Sequence, residues 1–224
     1  MLPFDTLNDF APIVQINITY GNLLVIYPSL PARTMKEFIA FAKARPGEIK
    51  YASGGVGSPP HVSAALMAEM AGIKLLHVPY KGTAPAMTDL IGGQVDLMCD
   101  QTTNTTSQIE AKKVKVFGVT TSKRLNTPAL KDVPTLDEAG QKGFQVTIWH
   151  GLYGPKNLAP EIQVKINNAL KAALKDPDFI KKQEGLGAVV VADKRAEQAD
   201  HKKFVMDEVV RWTPIIKASG AKAD

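Results

Sequence analysis

Cysteine is nearly absent from this sequence: Cys99 stands alone, which excludes an internal disulfide and any cysteine-based metal knot. The 4 histidines lie far apart and no His-Glu-x-x-His occurs, so no metal centre is expected. Nor is there a Gly-Lys-Ser/Thr phosphate loop or a Gly-x-Ser-x-Gly nucleophile elbow. No cofactor is expected. Long hydrophobic runs are missing too, the longest apolar stretch being broken by Asn17, Tyr20, Gly21 and Asn22. A membrane-spanning helix is excluded and a soluble protein expected. The first residues lack a basic segment followed by an apolar one, so they encode no secretory signal. Either the chain is cytosolic, or its start has been removed or misplaced.

What charge there is leans positive, with 27 Lys and Arg against 22 Asp and Glu, a formal net charge of +5. The bases are scattered among acids along helices and form no stripe interleaved with aromatics. This favours small anionic partners and speaks against nucleic acid.

Along the chain, strands alternate with short helices, the pattern of an α/β protein whose sheet is covered on both faces. Residues 12–27 read as one long strand with a bend at Gly21-Asn22, or as two strands in line. Thr34 with Glu37 forms a capping box for a helix over 35–44. Strands follow at 48–52, 74–78, 95–98 and 114–120, separated by helices at 59–71, 84–91 and 105–112. A short helix is expected at 135–139 and a second long strand at 144–153. The C-terminal third is helical, over 160–175, 178–184 and 194–219, with one strand at 188–191. The two long strands are read as crossovers between two lobes.

The most informative stretch runs from Ile49 to His61, a strand entering the turn Ser53-Gly54-Gly55-Val56-Gly57-Ser58 and then a helix. The glycines allow positive φ and close approach to the main chain, and Ser58 and Pro59 suit the start of a helix. Free N–H groups at that helix end, aided by its dipole, favour an anion. Since Pro60 replaces the third glycine of a dinucleotide fingerprint, an organic acid is the better expectation. The same pattern also serves as a plain connection. A second set, Tyr80, Lys81 and Thr83, follows a strand and offers a phenol, a cation and an N-cap oxygen. The structural alternative is that Thr83 only caps, Lys81 is solvated and Tyr80 packs. Asp100-Gln101-Thr102-Thr103-Asn104 closes a third strand, and three such ends converge on one edge of a sheet. Asp89 and Asp96 flank Gly92-Gly93, where turn chemistry is the simplest role for each.

A small hydrolase or isomerase acting on a carboxylated substrate is the alternative: Ser53 or Ser58 with His61 and Asp100 completes a triad on paper, but nothing presents the serine as an elbow would. An interaction protein with an apolar patch on Ile13, Ile16 or Ile18 is a further alternative.

The ordered set Tyr51-Ala52-Ser53-Gly54-Gly55-Val56-Gly57-Ser58, His77-Val78-Pro79-Tyr80-Lys81-Gly82, the run from Asp89 to Met98, and Asp132-Val133-Pro134-Thr135 with Glu138-Ala139-Gly140 resembles the Bug or TctC family. These are periplasmic solute-binding proteins of tripartite tricarboxylate transporters. The resemblance implies a type II periplasmic binding fold of two lobes joined by two crossing strands, residues 22–146 being a complete second lobe. Residues 1–21 and 147–224 would be what is present of the first, because the family's opening βαβ segment and leader have no counterpart here. It further implies a carboxylate on Ser53, Gly54, Gly55, Val56, Gly57 and Ser58, with His61, Tyr80, Lys81 and Asp100 beside it, and a packing role for Trp149. A membrane permease is the implied partner and the periplasm the implied compartment. Weak binding by this chain alone, or self-association through the incomplete lobe, is the accompanying expectation.

Overall fold

A computed structural model describes residues 5, 7–19, 22–185 and 188–218. The chain forms two compact units: among the described residues, those up to Thr19 together with Trp149–Ala218 make one, and those between, ending at Ile148, make the other.

The larger unit is a mixed five-stranded sheet. Its strands are β2 (Asn22–Ile26), β3 (Lys50–Ser53), β4 (Leu76–Pro79), β5 (Leu97–Gln101) and β6 (Lys115–Val119), in the order β4-β3-β5-β2-β6. β3 runs parallel to β4 and β5, while β2 lies antiparallel to both β5 and β6. Leu24, Val25 and Ile26 and the opening Leu97-Met98-Cys99 of β5 are buried, as an apolar run covered on both faces requires. Helices α1 (Met35–Lys43), α2 (Pro59–Ala71), α3 (Thr83–Ile91) and α4 (Thr102–Glu110) supply the cover. The first capping box forms: Glu37 N–H donates to Thr34 Oγ1 at 3.2 Å, and the Glu37 carboxylate accepts from the Arg33 N–H at 2.7 Å. The chain leaves β3 toward β4 on one side and β5 toward β6 on the other. In open α/β sheets such a reversal marks the edge at the C-terminal ends of the strands, here β3 and β5, as the place where ligands bind.

The smaller unit has the sheet β7-β1-β8, formed by β1 (Phe10–Thr19), β7 (Ile148–Pro155) and β8 (Ala188–Val190). Helices α5 (Pro160–Ala173), α6 (Pro177–Gly185) and α7 (Gln198–Ala218) accompany it. Ile13, Val14, Leu174 and Val190 form its core, and buried Asn167 donates to the carbonyls of Ile13 and Ala196. With Ile13 in the core and Ile16 and Ile18 half-buried, the apolar patch considered on these three is not exposed.

Three expectations about elements need correction. Of the two readings of residues 12–27, one long strand or two, the single strand is excluded: β1 and β2 are separate and belong to different sheets, and the expected bend at Gly21 lies outside the described residues. Residues 135–139 make a single turn, with Ala139 N–H on the Thr135 carbonyl, which ends at Gly140 with φ 105°. The reciprocal Thr135 and Glu138 cap bonds form there without a helix to cap, and Leu136 N–H pairs with the carbonyl of Val119 instead. Finally, β7 begins only at Ile148; upstream, Val146 is tied to Thr120 through its N–H and carbonyl. The described part of the C-terminal helix ends at Ala218, and Ser219 lies outside the described residues.

Candidate functional site

Strands β3, β4 and β5 end side by side, and each is followed by a helix. Main-chain bonds fasten the first two loops together: Tyr80 N–H donates to the Ser53 carbonyl at 3.0 Å and Gly82 N–H to the Gly54 carbonyl at 3.2 Å. Asn104 Nδ2 reaches Thr83 Oγ1 at 3.5 Å and so links the third. This closeness leaves little room at Gly54, where a Cβ would lie 3.2 Å from Thr83 Cγ2. Positive φ was expected at all three loop glycines, but only Gly55 (133°) and Gly57 (77°) adopt it.

The helix end next to the loop offers fewer donors than the sequence suggested. Pro59 and Pro60 take the first two positions of α2 and have no N–H, and the Ser58 N–H is spent on the carbonyl of Gly55. Ser58 occupies the N-cap position, yet its hydroxyl donates backward to Gly55 at 2.7 Å instead of capping. Gly55 and Gly57 N–H groups bond to Ser53 Oγ and His61 Nδ1. The N–H groups of Val56 in the loop, Thr83 and Ala84 on α3, and Thr103 on α4 are not taken up by any described residue. Anion-accepting capacity is thus spread over three strand ends, each opening a helix, instead of residing in the glycine turn alone. Thr83, expected as an N-cap, is the first residue of α3, with Gly82 in the cap position.

Asp100 is fully buried at the end of β5. Its carboxylate accepts from the Gln101 N–H at 2.8 Å and from Asn104 Nδ2 at 3.3 and 3.2 Å. Burial raises its pKa against the opposing effect of these bonds. Tyr80 donates its phenol to Asp89 at 2.7 Å, and its pKa rises to about 12 through burial and that partner. This phenol is therefore engaged within the unit, and Asp89 has a side-chain role beyond its turn. Asp96 likewise accepts the N–H of Lys50 at 2.7 Å. Lys81 is exposed at the rim.

His61 is buried, and its ring stacks on His77 with centroids 4.0 Å apart and Tyr51 alongside. Ser53 Oγ pairs with His77 Nε2 at 2.7 Å. The triad drawn from Ser53 or Ser58, His61 and Asp100 does not assemble: His61 Nδ1 is occupied by Gly57, and the bonds of Asp100 go to Gln101 and Asn104. Among the described residues no group of three His, Cys, Asp or Glu could hold a metal ion, and no helix is long and apolar enough to cross a membrane. Cys99 is buried and its thiol pKa pushed up to about 12. Sequence reasoning passed over His77 as a site residue. Its place depends on the β3–β4 register, which sets Tyr51 opposite His77 and Ser53 opposite Pro79.

Residues 1–221 match the tripartite tricarboxylate transporter family receptor, TctC. The chain belongs to this family. An Agrobacterium vitis relative, the UPF0065 protein in the TAR-I ttuE-ttuC' intergenic region, is 38% identical over 218 residues, which cover 97% of this chain and 61% of the relative. The chain thus spans less than two thirds of that relative's length. Among solved structures, periplasmic binding protein BugD is 39% identical with TM-score 0.87, covering 96% of this chain and 71% of BugD. R. palustris Rpa4515 with adipate is 31% identical with TM-score 0.90, over 99% and 72% of the two chains. MatC from Rhodopseudomonas palustris with bound malate is 31% identical with TM-score 0.88, over 96% and 72%. The fold is that of the TctC periplasmic solute-binding proteins, and both the family and these neighbours are binding proteins and not enzymes.

Proposed function

We propose that this TctC chain acts in a receptor that captures an organic acid outside the cytoplasm and delivers it to a membrane permease. The observation that carries the reading is the convergence of three strand ends, each opening a helix, around the glycine loop, with N–H groups at Val56, Thr83, Ala84 and Thr103 that no described residue takes up. A carboxylate would replace its water shell with fixed main-chain donors and the positive ends of helix dipoles. Lys81 at the rim would add attraction.

Asp100 gives the site a second property. A buried acceptor beside an anion site repels a further carboxylate when ionised, but it can take a hydrogen bond from a hydroxyl or ammonium substituent. The ligand class favoured is therefore a substituted small acid of the malate kind over an unsubstituted one. Neighbours solved with adipate and malate support the dicarboxylate class.

In this reading residues 22–146 are the second lobe and hold the ligand, and 1–21 with 147–224 belong to the first lobe. Ligand contacts made only in a closed form would shift the receptor toward it, and that form would dock on the permease. Titration calorimetry of the full chain with malate and with adipate tests the proposal. Saturable one-to-one binding, weaker at high salt, is expected. No heat and no thermal shift with either acid at millimolar concentration would sink it.

A further inference from the structure

The glycine loop is held from beneath by two imidazoles. His61 Nδ1 accepts the main-chain N–H of Gly57 at 3.0 Å. A backbone N–H can only donate, so Nδ1 carries no proton and the ring is neutral with its hydrogen on Nε2. His77 Nε2 lies 2.7 Å from Ser53 Oγ, and that hydroxyl meets both the carbonyl and the N–H of Gly55, at 3.0 and 3.2 Å. The rings are nearly parallel, 5° apart, with centroids 4.0 Å from one another. Gly55 and Gly57, the two loop residues with positive φ, are thus tied to the two members of one stack.

We propose that His61 and His77 are positioning residues that keep the glycine loop in its anion-accepting shape as a neutral pair, and that proton uptake by His61 releases Gly57 and loosens the loop. It rests on the receptor reading only in its last link, the effect on ligand. Protonation at Nδ1 would set donor against donor at Gly57, and a second cation 4.0 Å away would meet strong repulsion. Burial lowers the pKa of His61, and burial together with His61 takes His77 down to about 4. The titratable groups on the elements around His61 are few. Tyr51 on β3 and Cys99 on β5 stay neutral near pH 7, each pushed up to about 12. Asp100 is the penultimate residue of β5, the exposed Lys50 begins β3 at the end away from the loop, and Glu69 lies exposed near the far end of α2. Lys81, exposed, follows β4. His61 lies inside a helix, a place where a side chain is ordinarily read as packing. Here the bond to Gly57 four residues back gives it a specific task.

Nitrogen-15 NMR of the ligand-free full chain tests this without any assumption about ligand. The expected result is His61 as the Nε2–H tautomer near pH 7, titrating below the ordinary imidazole range, with the Gly57 amide shift following the same midpoint. His77→Gln, which can still donate to Ser53 but removes the stacked ring, should move the His61 midpoint upward. Adipate affinity, measured by calorimetry, should fall as pH drops below that midpoint, approaching but not exceeding tenfold for each pH unit, the limit for uptake of one proton. A proton on His61 Nδ1 near pH 7, or a Gly57 amide that ignores the His61 titration, would overturn the proposal. Should the NMR behaviour hold while neither adipate nor malate binds at any pH, the receptor reading falls and the loop mechanism stands.

Discussion

Asn104, four residues beyond Asp100, holds both oxygens of that buried carboxylate, at 3.3 and 3.2 Å, and also reaches Thr83 at 3.5 Å. One amide therefore ties the end of β5 to the start of α3. It gives an otherwise costly buried carboxylate its main side-chain partner.

Asp100→Asn keeps the shape of that group and removes its charge. Because the folded-state pKa is raised, the native protein binds more protons than the unfolded chain between the unfolded value and the raised one. Stability contributed by Asp100 therefore falls as pH rises through that window and is at its lowest near pH 7. The variant should melt at the same temperature or higher at pH 7. Calorimetry should show malate losing about tenfold more affinity than adipate, the worth of one hydroxyl bond of roughly 1.4 kcal/mol.

Tyr80→Phe deletes the donor to Asp89. A loss of about 1 kcal/mol in denaturant unfolding is expected. Binding of either acid should change less than twofold, since the phenol is engaged within its own unit. A tenfold loss of affinity with unchanged stability would show instead that Tyr80 turns to the ligand.

Acid should weaken the fold. His201 is completely buried with neither ring nitrogen hydrogen-bonded to a described residue, and burial lowers its pKa to about 4; His77 is depressed to about the same value. For these bases the unfolded chain binds more protons between pH 6.5 and about 4, so stability is lost as pH falls through that interval. Urea titrations across it should show a slope of at most about 1.4 kcal/mol per pH unit for each histidine. The His201→Phe variant should flatten the profile.

Gly151→Ala should be among the most damaging small changes in the smaller unit. A Cβ there would sit 2.6 Å from His201 Nε2 and 3.2 Å from Tyr153 Cε2. Overpacking of this kind costs about 1–3 kcal/mol. Combined with His201→Ala the clash has no object, so the double variant should be more stable than the two separate losses add up to. Additive losses in chemical denaturation would contradict the contact.

Much of the larger unit was readable from local pattern. The Thr34 and Glu37 cap, helix α2 to its last residue, and the burial of Cys99 follow from turn chemistry and from runs whose apolar period matches one element. The resemblance carried by the ordered motifs led to the family for the same reason, since each motif is a contiguous stretch. The glycine turn was legible as a place where the main chain bends with positive φ. Its donors were misjudged, although the two prolines that remove them stand in the sequence.

Tertiary structure alone decided which side chains meet. Parallel pairing of β3 with β4 sets Tyr51 opposite His77, and α2 brings His61 onto that ring. Ser53, 24 positions away in sequence, thereby finds His77 and not the nearer His61. Sheet pairing also separates β1 from β2 and sets Thr135 beside Val119 at the end of β6. The physical reason is one of range. Capping, turn and helix signals are settled within about four residues. A sheet neighbour is chosen by burying whole faces against distant segments, and a one-residue slip would have turned every one of these side chains the other way.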